Sequence, residues 1–283
     1  MLIIKDKIEL SNVISQFKQQ SQSINFVPTM GNLHQGHIEL VNKANSLTGK
    51  TIVSIFVNPM QFNNPDDLLR YPRTLDADIQ KLIDARADLL FVPDVASIYP
   101  AATTAASRTR VVVPALGDIL EGESRPGHFD GVSTVVTKLF NLVQADQAIF
   151  GEKDFQQLAI IRKMVLDLDM PVQIHSHPII RESDGLAMSS RNSRLNKQQR
   201  ETAPALYQAL QKLQAELQQG NKNYSQLQQE ISERLDSTGF ITDYLMVADA
   251  TTLLPADNKT KNIVLLAAVI LGEIRLIDNI HLN

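Results

Sequence analysis

The stretch FVPTMGNLHQGH (residues 26–37) decides the fold, because it joins the end of a strand, a glycine turn and the start of a helix. Residues 24–27 (INFV) are mostly apolar and indicate a strand. Gly31 suits the turn, and apolar residues recur at helical spacing over 38–44. A strand that passes directly into a helix is half of a β-α-β unit, so the stretch predicts a parallel sheet.

The same alternation continues through the first two-thirds of the chain. Residues 51–57 (TIVSIFV) form a nearly continuous β-branched run, as expected of a strand buried on both faces. Further strands are predicted at 88–92, 147–150 and 172–176, and helices at 79–87, 132–143 and 155–168. This order predicts an α/β fold whose N-terminal domain is a Rossmann-like, doubly wound parallel sheet.

The pattern changes after Arg181. Leucines at helical spacing predict one helix over 206–217 that ends at Gly220, and a second over 224–235 that ends at Gly239. Strands are predicted at 244–247, 263–270 and 274–277. We therefore expect two domains: residues 1–182, and a smaller α+β domain of residues 183–283.

Composition excludes several classes of function. Among 283 residues there is no cysteine, which excludes disulfides, thiolate metal sites and a cysteine nucleophile. The net charge of −4 argues against nucleic acid as a partner. The longest apolar run, residues 263–271, is about half of the ~20 residues that a membrane helix needs. No signal segment is visible, so we expect a soluble, cytoplasmic protein without a membrane partner.

The turn at residues 30–36 predicts an anion site. A helix N-terminus presents unpaired backbone N–H groups and the positive end of its dipole. His34 and His37, three residues apart, can face the same side and donate to phosphate oxygens. The alternative is that two histidines merely cap the helix. The glycines and the strand–turn–helix context favour nucleotide binding.

The order His-x-Gly-His resembles the nucleotide signature of the class I aminoacyl-tRNA synthetase and nucleotidyltransferase superfamily. Its second element, a serine loop with a basic residue, matches MSSRN at 188–192. Other segments restrict the resemblance to one family of this superfamily. They are NPMQF (58–62), YPRT (71–74), RPGHFDGV (125–132), FGEKDFQQ (150–157), DGLAMSSRN (184–192) and, more weakly, RLIDN (275–279). Together they resemble the pantothenate synthetase family, the pantoate–β-alanine ligases.

The resemblance implies a two-step reaction with ATP as a substrate. The pantoate carboxylate attacks the α-phosphorus of ATP to give pantoyl adenylate and pyrophosphate, and the amine of β-alanine then displaces AMP. It implies ATP contacts from Met30, Gly31, Asn32, Leu33, His34, Gln35, Gly36, His37, Gly151, Glu152, Lys153, Asp154, Ile180, Met188, Ser189, Ser190 and Arg191. The catalytic residues among them would be His34, His37, Lys153, Ser189, Ser190 and Arg191. Ile180 would read the adenine edge through its backbone.

The resemblance assigns pantoate to Gln61 and Gln157, with Pro28, Thr29 and Tyr71 along the cleft, and β-alanine to Gln61. Amides suit this substrate because they can donate to a carboxylate and accept from a hydroxyl. Mg²⁺ is expected with ATP, but its ligands stay unassigned. Asp76 and Asp78 are candidates, equally well explained as solvated carboxylates at a helix N-terminus. A homodimer and a lid-like C-terminal domain are further expectations.

Three positions depart from the family pattern: Asn32 stands for a usual alanine, Gln35 for glutamate and Arg194 for tyrosine. Two other functions stay open. A nucleotidyltransferase that stops at an adenylated product shares the histidine signature but should lack the paired glutamines. A non-catalytic nucleotide- or tRNA-binding module would bind without turnover, and the acidic charge balance counts against tRNA.

Overall fold

The computed structural model describes residues 1–100 and 109–282. The chain forms two compact units: a first unit of Met1–Glu152 with Gln156–Pro178, and a second unit of Lys153–Phe155 with Ile179–Asn283. The limits expected from the sequence, 1–182 and 183–283, stay a prediction. The observed boundary lies between Pro178 and Ile179, a few residues before the expected one. The short segment 153–155 belongs to the second unit.

The first unit is an α/β layer structure around a six-stranded sheet in the order β1-β4-β3-β2-β5-β6, with every pair parallel. Its strands are β1 (Leu2–Ile4), β2 (Ile24–Thr29), β3 (Lys50–Ile55), β4 (Leu89–Phe91), β5 (Gln147–Gly151) and β6 (Gln173–His177). Its helices are α1 (Lys7–Gln19), α2 (Gln35–Asn45), α3 (Pro65–Arg70), α4 (Leu75–Asp84), α5 (Val95–Ile98), α6 (Glu121–Ser124), α7 (His128–Val143) and α8 (Phe155–Asp167). The first residue of α8, Phe155, belongs to the second unit. The predicted parallel α/β fold is confirmed.

Side chains alternate between the two faces of this sheet, as the pleat requires. Val27 and Val53 pack with α2 and with Leu82 of α4 on one face. Phe26, the residue before Val27, meets Phe140 of α7 on the other face, with ring centroids 6.2 Å apart. Helices therefore cover both faces, which explains why the central strands are continuous apolar runs.

The first unit contains elements that the sequence analysis did not predict. Strand β1 and helix α1 precede the first predicted strand. Residues 65–70 form the short helix α3, for which no helix was predicted. Asn64 caps this helix by accepting from the N–H of Asp66, and Pro65 occupies its first turn.

The second unit is an α+β structure with its own core. An antiparallel sheet contains β7 (Ile241–Asp249), β8 (Ile263–Leu271) and β9 (Ile274–Leu282) in that order. Its helices are α9 (Lys197–Thr202), α10 (Ala205–Gln218) and α11 (Tyr224–Asp236). The leucines that predicted α10 and α11 pack with β8, and all are buried except the half-buried Leu217. Gly220 and Gly239 follow these helices with φ of +90° and +98°, so the predicted helix ends are confirmed.

Candidate active site

The carboxyl ends of β2, β3 and β5 lie side by side, because β2 is the neighbour of both other strands. The chain runs from β2 outward to β3 and β4, and from β5 outward to β6, so its direction across the sheet reverses between β2 and β5. Open α/β sheets bind ligands at such a reversal, outside the strand ends. Met30, the turn around Gln61 and Gly151 all follow or end these strands.

The turn after β2 is anchored by α4. Gly31 and Asn32 have left-handed φ values of +81° and +49°, which glycine and asparagine tolerate best. Asp78 accepts from the backbone N–H groups of Asn32 and Leu33, each at 2.8 Å. Lys81 Nζ donates to the Leu33 carbonyl at 2.6 Å. The departure at Asn32 therefore fits the backbone conformation.

Asp78 was expected to be a solvated carboxylate or a magnesium ligand, and the first interpretation is wrong. The residue is 1% exposed, and the Thr74 hydroxyl adds a third donor at 3.2 Å. The reason is geometric, because α4 packs against α2 and brings Asp78 beneath the turn rather than toward solvent. Asp76 of the same helix is exposed.

His34 and His37 meet at the N-terminus of α2, with ring centroids 4.0 Å apart. The prediction that they share one side of the helix start is therefore confirmed. The His34 backbone N–H donates to His37 Nδ1 at 3.3 Å. Because Nδ1 accepts, neutral His37 carries its proton on Nε2 and presents a donor there.

Gln35 lies beside this pair but is exposed, and its amide donates to the Glu39 carboxylate at 2.6 Å. That hydrogen bond lowers the pKa of Glu39. The sequence-based expectation of an ATP contact from Gln35 is not tested by this geometry.

The orientation of Gln61 is fixed by Asn58, which is 1% exposed. The Met60 N–H donates to Asn58 Oδ1, and Asn58 Nδ2 donates to the Gly131 carbonyl. These two backbone groups settle which end of the Asn58 amide is nitrogen. Asn58 Nδ2 also donates to Gln61 Oε1 at 2.9 Å, so Gln61 directs its own NH₂ group, a donor, away from Asn58. Tyr99 completes the network by donating to Asn58 Oδ1 at 2.8 Å.

The segment RPGHFDGV (125–132), to which the sequence analysis gave no role, holds the Gln61 turn. His128 Nδ1 lies 2.8 Å from the Gln61 carbonyl, and Arg125 donates to the same oxygen at 3.2 Å. A Cβ on Gly131 would lie 2.5 Å from the Met60 carbonyl oxygen, so only glycine allows this approach. The family resemblance at this segment was the signal that could have found these contacts.

The other predicted residues of the first unit have defined surroundings. Thr29 donates to the Ser54 carbonyl and accepts from the Gly31 N–H, so it helps to form the turn. Tyr71 is buried against Phe62, with ring centroids 5.7 Å apart. Glu152 accepts from the Ser176 hydroxyl at 2.7 Å. Pro28 and Gln157 are half-buried on β2 and α8, and the adjacent Gln156 instead bonds the backbone of Leu116, Ile119 and Glu121.

The second unit brings together the predicted residues around 180–191. The Met188 N–H donates to the Ile180 carbonyl at 2.9 Å, and the Glu182 N–H donates to the Leu186 carbonyl at 2.8 Å. Residues 180–188 thus form a hairpin whose turn contains Gly185, with φ of +93°. The dipeptide Asp184-Gly185 was the sequence signal for this turn. Ser189 Oγ accepts from the Arg191 N–H at 3.2 Å.

Lys153 and Asp154 also belong to the second unit. The Lys153 ammonium lies 3.9 Å from the Asp154 carboxylate, and the Lys153 side chain is 18% exposed. The Lys153 carbonyl accepts from Asn279 Nδ2 at 3.0 Å, a contact that sequence reasoning missed.

Magnesium that binds with ATP needs only one or two protein carboxylates besides the phosphates. No group of three or more His, Asp or Glu side chains in residues 1–100 and 109–282 is arranged to hold a metal ion. Asp78, one of the two candidates, uses both carboxylate oxygens on backbone N–H groups. Likewise, no helix in the described ranges has the length and apolar character to cross a membrane.

A model of the pantoate–β-alanine ligase family matches residues 2–281. The chain belongs to this family. It is 49% identical to a pantothenate synthetase of Pseudomonas fluorescens Pf0-1 over 283 residues, which are all of this chain and 98% of the relative. The crystal structure of pantothenate synthetase from Thermus thermophilus matches with a TM-score of 0.91, 41% identity and 99% coverage of both chains.

A second solved structure of the pantoate–β-alanine ligase family bears on ligands. It is the enzyme of Francisella tularensis in complex with β-γ ATP and β-alanine, with a TM-score of 0.84 and 36% identity. It covers 99% of this chain and 97% of its own. Family membership thus rests on matches that span nearly the whole length of both compared chains.

Proposed function

We propose that this chain joins pantoate to β-alanine with ATP, and releases pantothenate, AMP and pyrophosphate. The observations that carry the proposal are the oriented Gln61 amide in the turn after β3 and the paired imidazoles after β2, the neighbouring strand. Such an edge offers donors for a small hydroxy acid beside donors for a polyphosphate. The names of the family members, and the ATP and β-alanine bound by the Francisella tularensis relative, support the same assignment.

In the first proposed step, a carboxylate oxygen of pantoate attacks the α-phosphorus, and the bond from that phosphorus to pyrophosphate breaks. His37 donates from Nε2 to the phosphate oxygens, with His34 beside it. Lys153, Ser189, Ser190 and Arg191 of the second unit stabilise the negative charge on the leaving group. These groups act by charge stabilisation, which preorganised donors supply without reorganisation during the reaction.

In the second step, the amine nitrogen of β-alanine attacks the acyl carbon of pantoyl adenylate. The bond from that carbon to the phosphate oxygen breaks, AMP leaves, and the amine loses a proton to solvent. Gln61 would orient both acid and amine, with Gln157, Pro28, Thr29 and Tyr71 along the acid. Alignment of the reactants supplies much of the rate acceleration in such a step.

The remaining ATP contacts are proposed as follows. The turn residues Met30, Gly31, Asn32, Leu33, Gln35 and Gly36 would line the phosphates. Gly151 and Asp154 would hold the ribose, Ile180 would read the adenine edge, and Glu152 and Met188 would contact the nucleotide. Mg²⁺ is proposed as a companion of the ATP phosphates, and no step here runs through it. On the family resemblance we also propose a cytoplasmic homodimer.

The test is AMP formation by the purified chain, measured with ATP, pantoate and β-alanine and with each one omitted in turn. We expect AMP only with all three. Sustained pyrophosphate release that is independent of β-alanine would indicate a nucleotidyltransferase. ATP binding without turnover would indicate a binding module.

A further inference from the structure

The segment RLIDN (275–279) on β9 has no part in the proposed reaction, yet it contains two adjacent buried polar residues. Asp278 is 3% exposed and Asn279 is 5% exposed. A buried polar group is costly unless it is hydrogen-bonded. The partners of these two side chains therefore show what the segment is for.

Asn279 bonds the main chain of Lys153, 126 residues away in the sequence. Its Nδ2 donates to the Lys153 carbonyl at 3.0 Å. Two residues further on, and so on the same face of the strand, His281 packs its ring 5.8 Å from the ring of Phe155. Strand β9 therefore holds the 153–155 segment at two points, one directly at Lys153.

Asp278 bonds Arg181, the residue after Ile180. The two guanidinium nitrogens donate to the two carboxylate oxygens at 2.6 and 2.9 Å, a bidentate pair that fixes orientation as well as distance. Burial raises the pKa of Asp278, and the Arg181 guanidinium acts against that shift.

The Arg181 side chain is in turn attached to the 180–188 hairpin. It donates to the Gly185 carbonyl at 3.1 Å, and its guanidinium carbon lies 3.6 Å from the ring centroid of Tyr207. A Cβ on Gly185 would lie 2.7 Å from a Tyr207 ring atom, so the hairpin turn packs closely on the same ring. Asp278 thus acts on both the first strand and the turn of the hairpin through the Arg181 side chain.

We propose that Asp278 and Asn279 are positioning residues for ATP. Asn279 fixes the main chain from which Lys153 reaches the phosphates, and Asp278 acts through Arg181 to fix the hairpin that carries Ile180 and Met188. The Asn279 N–H donates to Asp278 Oδ1 at 2.8 Å, so the two act as one unit. The inference rests on the proposed function, since that function gives Lys153 and Ile180 their roles.

The primary test is Asn279→Ala, assayed for AMP formation with ATP and pantoate varied separately. Loss of one buried hydrogen bond at Lys153 should raise KM for ATP or lower kcat by about tenfold in total. KM for pantoate should stay within about twofold, because Gln61 is held by a different network. Asn279→Gln, which keeps the amide donor, should recover part of the loss.

A double-variant cycle separates positioning from general stability. If Asn279 acts through Lys153, Asn279→Ala should change kcat/KM by less than about twofold in a Lys153→Ala background. Asp278→Asn should in addition weaken the preference for ATP over GTP, because the hairpin would read the adenine edge. Arg275→Ala is the matched control on the same strand. Arg275 pairs with Asp243 of β7, and its loss should leave both KM values unchanged.

The outcomes distinguish the two proposals. If the unaltered chain forms no AMP from pantoate and β-alanine, the proposed function is wrong. If the unaltered chain is active, the positioning role is wrong when Asn279→Ala leaves KM and kcat for ATP unchanged or raises both KM values equally. It is also wrong when the losses of kcat/KM caused by Asn279→Ala and by Lys153→Ala multiply fully in the double variant. Thermal unfolding of each variant shows whether the protein is folded. If Asp278→Asn does not fold, the kinetics of Asn279→Ala alone test the positioning role.

Discussion

At the scale of single residues, buried polar side chains do most of the positioning in this site. Asp78 holds the turn before His34, and Asn58 sets the direction of the Gln61 amide. Neither touches substrate in the proposed mechanism. Both accept from or donate to backbone groups that are wholly or partly buried, so their loss should affect stability and binding together.

Asp78→Asn tests the anchor of the turn. The amide would place an N–H₂ group against backbone N–H donors, so at least one donor loses its acceptor. We expect a loss of about 1–3 kcal/mol in the free energy of unfolding, measured with urea, and a higher KM for ATP. Asp76→Asn, an exposed change on the same helix, is the control. Equal stability of the two variants would contradict the anchoring role.

Gln61→Glu tests the amide donor. The change replaces the NH₂ group by a carboxylate of similar size, which would repel the carboxylate of pantoate. KM for pantoate should rise at least about tenfold, while KM for ATP should change little, because one charge-assisted hydrogen bond is replaced by repulsion. Steady-state kinetics with each substrate varied is the measurement. A matching rise in both KM values would count against the assignment.

Sequence reasoning at this scale fails where the hydrogen-bonded residues are far apart in the sequence. His34 and His37 were found because they are neighbours in the sequence and lie in a recognisable turn. Asp78 bonds residues 45 and 46 positions away, and Asn58 bonds Gly131 at a separation of 73. Such pairings depend on how α4 and α7 pack, which no local pattern encodes.

At the scale of elements, close approach between α7 and the turn after β3 defines the Gln61 site. Gly131→Ala would place a methyl group 2.5 Å from the Met60 carbonyl oxygen. The turn must shift, so we expect a lower Tm, by an overpacking cost of about 1–3 kcal/mol, and a higher KM for pantoate.

The control for that change is Gly127→Ala at the start of the same helix. A Cβ there meets no atom within 4 Å, although φ is +78°, so only the backbone cost of about 1–2 kcal/mol applies. Its KM for pantoate should stay normal. A normal KM in Gly131→Ala as well would show that the close approach does not position Gln61.

Long, patterned elements were predictable, and short ones were not. The central strands and α10 and α11 have clean apolar spacing because each packs on a core. Helix α3 buries no residue, so it leaves no apolar stripe to detect, and its local signals are the Asn64 cap and Pro65 in the first turn. Strand β1 has three residues at the sheet edge, two of them exposed, which is too short for an alternation to be evident.

At the scale of the whole molecule, acid stability depends on carboxylates with lowered pKa values. A side-chain hydrogen bond from Gln35 lowers the pKa of Glu39, and one from Arg200 lowers the pKa of Asp184. Hydrogen bonds from backbone N–H groups lower the pKa values of Asp94, Asp249 and Asp257. A lowered pKa in the folded state contributes stability above the unfolded pKa, and this is lost as pH falls through the folded value.

We therefore expect Tm to be steady near neutral pH and to fall below about pH 4, where unfolded carboxylates begin to bind protons. The pKa of Asp278 is shifted in the opposite direction. Its raised pKa contributes stability at low pH that is lost as pH rises through its folded value, so it offsets the fall only in part. Calorimetry from pH 7 to pH 3 is the measurement. A constant Tm over that range would contradict the prediction.

The family resemblance, carried by segments within residues 26–192 and more weakly by 275–279, was the part of the function that the sequence predicted best. Several short segments in a fixed order are a stronger signal than any one of them, and the family match over residues 2–281 bears this out. Charge balance and the lack of cysteine only excluded alternatives. The division into units could be expected near residue 180, but the place of Lys153–Phe155 in the second unit could not, because β9 holds that segment through Asn279 and His281.

The most direct measurement of the central claim follows the oxygen atoms of pantoate. If the acid attacks the α-phosphorus and the amine then displaces AMP, pantoate labelled with ¹⁸O in its carboxylate must leave one labelled oxygen in AMP and one in the amide of pantothenate. Mass spectrometry of both products reads this out. Unlabelled AMP, or label in inorganic phosphate with ADP as the nucleotide product, would contradict an acyl adenylate.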